Sequence, residues 1–267
     1  MIRDITIGQY YKADSVIHRL DPRVKLMGTL IFIISLFMGM NIWIYAVVTV
    51  ALAVVIKMSR IPLKFMVRGL KSIVILIIIS AVFNLFLTPG DVLIQIWKLT
   101  ITYQGLKMAI FMVVRLIYLI VGTSLMTLTT TPNNLTDGLE KGLGFLKVIK
   151  VPVHEIAMMM SIALRFIPIL IEETDKIMKA QMARGADFEH GNIIKRAKSM
   201  VPLLVPLFVS AFRRADDLAM AMEARCYNGG EGRTKMKPLK YEKRDRIAYI
   251  SMVLYLGVII IVKIIAA

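Results

Sequence analysis

The sequence predicts an all-α integral membrane protein: about five transmembrane helices, plus a basic cytoplasmic region of amphipathic helices set between the fourth span and the fifth. Three observations carry this expectation. Hydrophobic residues make up 57% of the 267 positions and the mean hydropathy is +0.70, above the roughly one-half apolar content of ordinary soluble domains. The apolar residues are gathered into long runs. The 34 Lys and Arg outnumber the 18 Asp and Glu, a formal net charge of +16, and they lie mostly outside those runs. A nucleic-acid binder would carry such charge on a soluble fold, so no nucleic-acid partner is expected. The single cysteine, Cys226, allows no internal disulfide and no thiolate metal cluster. The polar start "MIRDITIGQYYKADSVIHRLDPRVK" has neither an apolar core nor a cleavage site, so no signal peptide is expected.

The run Leu26–Met58 would be about 50 Å long as one helix, against a hydrocarbon core of about 30 Å. It is therefore divided at Gly39–Asn41 into two short spans. In "RIPLKFMVRGLK", the residues Arg60, Lys64, Arg68 and Lys71 recur at helical spacing. They read as one basic face reaching anionic headgroups, or as a solvated face. Residues 72–88 form a third span, ended by Thr88-Pro89-Gly90. The alternating "DVLIQIWKLTITYQG" is a short hairpin or an interfacial loop. Residues 106–128 are a fourth span and 247–265 the last. Between them, "AMMMSIALRFIPILI" (157–171) and "MVPLLVPLFVSAF" (200–212) are too short or too rich in proline to cross a bilayer, and read as helices buried against each other or against the membrane face that continue into amphipathic charged helices.

The chain thus divides into 1–129 (an N-terminal cytoplasmic segment and four spans), a basic cytoplasmic region 130–246, and a C-terminal span in 247–267. Lys and Arg are abundant before residue 26, across 57–71 and throughout 130–246. The expected external loops offer only Lys98. The positive-inside rule puts the N-terminus and the basic region in the cytoplasm of a multi-pass protein, and five spans put the C-terminus outside.

No phosphate-binding G-x-x-x-x-G-K-[ST] loop is present, and His18, His154 and His190 show no metal-ligand spacing. Asp216-Asp217 lacks a second acidic motif. Neither catalysis nor a bound cofactor is expected. Arg115 sits near the middle of the fourth span. It is either a structural arginine bonded to carbonyls or to a neighbour such as Asn84, or part of a substrate path.

Two segments end alike. "DKIMKAQMARGADF" and "DDLAMAMEARCYNG" register at their arginines, so that Asp175 meets Asp216, Ala183 meets Ala224, Arg184 meets Arg225 and Gly185 meets Cys226. Helix termination explains an arginine followed by glycine. Docking explains a matched pair, because small flanks let a partner approach while one planar cation enters it. Both readings stand on the residues alone.

This pair, together with "HRLDPRVKL", "TTTPNNLTDGLE" and "ALRFIPILIEETDKIMKAQMARG", resembles the transmembrane T component of energy-coupling factor (ECF) transporters, the EcfT or cobalt-transport permease family. The resemblance runs along nearly the whole chain. It implies the energy-coupling subunit of an ATP-driven importer of vitamins or transition-metal ions in the prokaryotic cell membrane. It further implies two ABC ATPase subunits that bind ATP and Mg, and a small membrane S component that binds substrate. By position, Ala183, Arg184, Gly185, Ala224, Arg225 and Cys226 would be the ATPase-docking residues. Cys226 departs from the family's usual glycine. The rival readings are a stand-alone secondary transporter using Arg115 and Arg165, and a membrane lipid-modifying enzyme. The first leaves the paired ends unexplained, and the second lacks a convergent set of acids or histidines.

Overall fold

The computed structural model describes residues 10–96, 99–188, 192–229, 236 and 238–265. Lys98, His190 and the first nine residues of the polar N-terminal start lie outside them. The element order is α1 (Pro22–Phe37), α2 (Ile42–Ser59), α3 (Leu63–Leu87), β1 (Val92–Ile96), β2 (Leu99–Thr102), α4 (Tyr103–Thr129), α5 (Pro132–Gly142), a 3-10 turn (Gly144–Ile149), α6 (Val153–Ala183), α7 (Ile193–Glu223) and α8 (Lys243–Ile265). The chain forms two compact units. Among the described residues, one comprises 10–139 with 239–265 and the other lies within 140–238.

In the first unit the long apolar run is broken where its length demands. α1 ends at Phe37, and Asn41 caps α2 by accepting the Trp43 N–H at 3.2 Å. The expected basic face does not survive as one face. Arg60 ends α2 in the left-handed conformation, φ 56°, and α3 begins only at Leu63. A left-handed residue and Pro62 interrupt the helical phase, so Arg60 shares no helix with Lys64, Arg68 and Lys71. α3 itself bends by 63° between Leu63–Lys71 and Ile73–Leu87, which separates its basic start from its apolar length. The hairpin is real: β1 and β2 pair antiparallel, with Ile94 opposite Ile101 and an irregularity after Val92. Thr102 closes it, donating to the Thr88 carbonyl at 2.8 Å and accepting the Gly105 N–H at 3.0 Å as the N-cap of α4. A Cβ on Gly105 would stand 2.9 Å from the Leu85 carbonyl oxygen, so glycine permits the close approach of α4 to α3.

By length and composition α2, α4, α6 and α8 can each cross a membrane, and the bent α3 makes a fifth. The membership differs from the sequence expectation. α1 has only 16 residues, about 24 Å of helix. Conversely, 157–171 continues into a charged helix as expected, and the whole is long enough to cross. The stretch is the first half of a 31-residue helix that runs through Pro168 without a break. Likewise 200–212 is the middle of the 31-residue α7, which contains Pro202 and Pro206.

Two apolar clusters hold the first unit. Leu52, Ile61, Met66, Val121, Leu125 and Leu128 join α2, α3 and α4. Leu36, Ile44, Tyr45, Val48 and Ile259 join α1, α2 and α8. At the other end of α1 the tie is polar. Asp21 caps α1 through the Arg23 N–H at 2.9 Å and holds the Arg23 guanidinium at 2.9 Å, and that group lies 3.8 Å over the Tyr241 ring. The buried Asp245 carboxylate accepts the backbone N–H of Asp21 at 2.9 Å and of Glu242 at 2.8 Å. Lys25 donates to the carbonyls of His18 and Thr129. The starts of α1 and α8 and the end of α4 are thus bound through backbone groups that would otherwise be orphaned in the interior.

His18 belongs to the same tie. Its Nε2 faces the Tyr11 carbonyl oxygen at 3.0 Å. A carbonyl only accepts, so Nε2 carries the proton and Nδ1 accepts from Ser15 Oγ at 2.7 Å. Burial pushes the imidazole below its ordinary value of 6.5, with Lys25 adding to the shift. A base whose pKa is depressed by folding is stabilised in the neutral form. The stabilisation is therefore present above about pH 6.5 and is lost as pH falls through that value toward the lower folded pKa. The protection factors of amides in 11–20, corrected for intrinsic exchange, are expected to fall between pH 7 and pH 5, and the His18→Gln protein is expected to lose that pH dependence.

Candidate functional site

The second unit carries the paired helix ends, and their backbones match bond for bond. At the end of α6, the Arg184 N–H donates to Gln181 at 3.0 Å, Gly185 to Met182 at 2.9 Å, and Ala186 to Gln181 at 3.0 Å. At the end of α7, Arg225 donates to Met222 at 3.1 Å, Cys226 to Glu223 at 2.8 Å, and Tyr227 to Met222 at 3.0 Å. Each bond in the second set is the first shifted by the same offset that aligns the arginines. Gly185 has φ +88° and Cys226 φ 55°, the left-handed residue of a Schellman-type stop. Ala183, Arg184 and Gly185 are exposed, as are Ala224, Arg225 and Cys226, and the next residue of each, Ala186 and Tyr227, turns partly inward. Among the described residues neither arginine side chain has a hydrogen bond or ion pair. Each is a solvated cation on a rigid, sharply terminated helix end. The backbone therefore is a helix stop, which leaves both guanidinium groups available.

Cys226 adopts the left-handed conformation without being glycine, which strains an L-residue by about 1 kcal/mol. Cys226→Gly is expected to slow hydrogen exchange of the Tyr227 amide roughly threefold, a gain reduced by the extra freedom of glycine in the open state. Unchanged exchange would mean the strain is absorbed elsewhere.

A contact that sequence reasoning missed lies behind the pair. Arg214 Nη2 of α7 donates to Glu173 Oε2 of α6 at 3.2 Å. Glu173 and Arg214 occupy equivalent places in the two aligned segments, each eleven residues before its terminal arginine, about 16 Å along a helix. The alignment that matched the arginines also sets Glu172-Glu173 against Arg213-Arg214, and that charge complementarity was the available signal. The pair is partly exposed and contributes below about 1 kcal/mol. Its importance is geometric, since it ties the two helices at points equidistant from their tips.

The remaining arginines are placed differently. Arg115 is buried in the first unit, where its Nε donates to Tyr45 Oη at 3.0 Å and its guanidinium lies 5.0 Å from the Phe37 ring centroid. The expected neighbour, Asn84, instead donates to Ser80 O on its own helix at 2.8 Å. Phe37 is the last residue of α1 and Tyr45 lies in the first turn of α2. Arg115 is therefore beside the α1–α2 turn, even though it lies twelve residues into α4. The shortness of α1 brings that turn down to it. Arg165 is exposed on α6 and belongs to the other unit. The histidines are occupied structurally where described: His154 Nδ1 lies 2.9 Å from Glu140 Oε1. Among the described residues no three His, Cys, Asp or Glu side chains converge as a metal site would require.

A multi-pass helical protein with two matched, cation-tipped helix ends has the architecture of a membrane-embedded coupling component. Residues 13–236 match the CbiQ family of cobalt transport proteins. Curated relatives agree along nearly full length. The energy-coupling factor transporter transmembrane protein EcfT of Thermosediminibacter oceani is 58% identical over 250 residues, 94% of each chain. The protein of the same name from Clostridium kluyveri is 57% identical over 93% of each, and that of Bacillus subtilis 47% identical over 95% of this chain and 96% of its own. The chain belongs to the EcfT branch of this family, and its role is that of the energy-coupling T subunit of an ECF transporter in the membrane.

Proposed function

We propose that this chain is a non-catalytic coupling subunit whose two arginine-tipped helix ends each dock into one of two ABC ATPase subunits, while a small membrane S component binds the vitamin or metal-ion substrate. ATP and Mg are held by the ATPases, and this chain binds no cofactor. The single observation that carries the reading is the bond-for-bond identity of the two left-handed helix stops with Arg184 and Arg225 exposed at their tips. A pair of equivalent plugs suits a pair of equivalent sockets. Ala183, Gly185, Ala224 and Cys226 have no bulk to hold a partner's backbone away, and arginine retains its charge on desolvation.

The mechanism follows from the lever lengths. When ATP draws the two ATPases together, each moves its own helix tip. The Glu173–Arg214 tie stands about 16 Å behind both tips, so a change in their separation becomes rotation of α6 and α7 about it. The apolar halves of those helices then transmit the rotation to the membrane and to the S component. Such coupling requires contacts that differ between the nucleotide states.

The direct test is to purify the native complex by a tag on this chain and identify the other subunits. Two ATPase copies and one small integral membrane protein are expected; recovery of this chain alone would overturn the reading. Cytoplasmic placement of the N-terminus and of the paired ends follows from the positive-inside rule. If α1, α2, α3, α4 and α8 cross and α6 does not, a reporter fused after Ala267 will be extracytoplasmic. A cytoplasmic reporter would mean that α6 spans or that α1 does not.

A further inference from the structure

The 3-10 turn at Gly144–Ile149 presents an apolar surface that the coupling role does not use. Phe145 is 65% exposed, Val148 88% and Ile149 71%. The turn packs beside the start of α6, whose first two turns continue the apolar surface with exposed Ile156, Met159 and Met160. Lys150 follows the turn in the left-handed conformation, φ 60°, and the three apolar side chains before it are left exposed. Between Glu140 and Glu155 the chain carries Lys141, Lys147 and Lys150 and no carboxylate, while Glu140 is engaged by His154. An exposed apolar turn with basic flanks matches a lipid interface: the Phe145 ring and the branched chains enter the acyl boundary while the exposed Lys141 and Lys150 reach anionic headgroups.

We propose that the turn Gly144–Ile149, with its exposed Phe145, Val148 and Ile149, inserts into the interfacial region of an anionic bilayer and anchors the start of α6 there. The anchor would give α6 a fixed end on the membrane while its charged half, from Glu172 to Arg184, moves with a partner. The proposal needs only the membrane location of the protein, so its failure and that of ATPase docking are separable.

The test is a nitroxide at Val148→Cys in a Cys226→Ala background, with the full chain in nanodiscs of phosphatidylcholine and phosphatidylglycerol. Val148 is so exposed that the substitution leaves the packing undisturbed. Oxygen collisions are expected to exceed those of a water-soluble nickel chelate about tenfold at this position, as for a site within the acyl boundary. A control label at Lys179→Cys, in the exposed charged half of α6, should show the reverse. Replacing phosphatidylglycerol by phosphatidylcholine should raise nickel access at position 148 roughly twofold by removing the attraction for the lysines. Nickel access equal to that of the control would place the turn in water and overturn the proposal. Exclusion of both reagents would overturn it in favour of a protein partner. Equal depth in both lipids would overturn the anionic selectivity.

Discussion

Replacing both Arg184 and Arg225 with Glu is expected to abolish copurification of the ATPase subunits and ATP-driven uptake, while the protein remains folded and membrane-inserted. Both side chains are exposed and have no hydrogen bond or ion pair among the described residues, so folding has little to lose. The backbone stops rest on main-chain bonds from residues 184–186 and 225–227, and glutamate preserves them. Docking, in contrast, would have its central cation inverted. Truncating a buried arginine anchor costs about 2–4 kcal/mol, and reversal costs more because a like-signed socket repels it. Each single substitution should weaken assembly by at least about thirtyfold at that cost, with the second plug preserving some association. Arg184→Lys should recover only part of the affinity, since an ammonium lacks the planar fork. Uptake unchanged in the double variant would show that the paired ends are helix stops and nothing more.

The second large effect is on stability and lies in the other unit. Asp245→Ala is expected to destabilise the protein by about 1–3 kcal/mol, because one buried and one partly buried backbone N–H lose their acceptor. The carboxylate is 2% exposed and accepts from Asp21 at 2.9 Å and from Glu242 at 2.8 Å. The starts of α1 and α8 would then separate. Thermal unfolding in detergent and protease cleavage between residues 236 and 243 report this directly. Asp245→Asn should be milder, as its amide oxygen still serves one N–H while its NH2 opposes the other. A melting midpoint unchanged in Asp245→Ala would remove this carboxylate from the account of how α8 is held.

The elements most legible in the sequence were those whose cause is local. Chain length against bilayer thickness called for a break near Asn41, and alternation marked the hairpin before Tyr103. Small residues around two arginines marked the helix ends. What escaped depended on the helices' true extents. Arg115 was placed mid-membrane by counting along its own span; its surroundings depend on α1 being short. The basic residues 60–71 were joined into one face by spacing alone, which takes no account of the left-handed turn at Arg60. The stretch 157–171 was legible as running on into a charged amphipathic helix, but the full extent of that helix, Val153–Ala183, was not.

The sequence by itself determined the class, the segregation of charge from apolar length, and the equivalence of Arg184 and Arg225, because hydropathy, charge and motif spacing are properties of neighbouring residues. Only the tertiary structure decided that the two ends share one hydrogen-bond pattern, with Cys226 accepting the strain that Gly185 avoids. It alone set Glu173 against Arg214 as a common tie, Asp245 beneath the first turn of α1, and Tyr45 against Arg115. Each of these joins groups far apart in the chain, and no local periodicity specifies which distant donor will meet a buried acceptor.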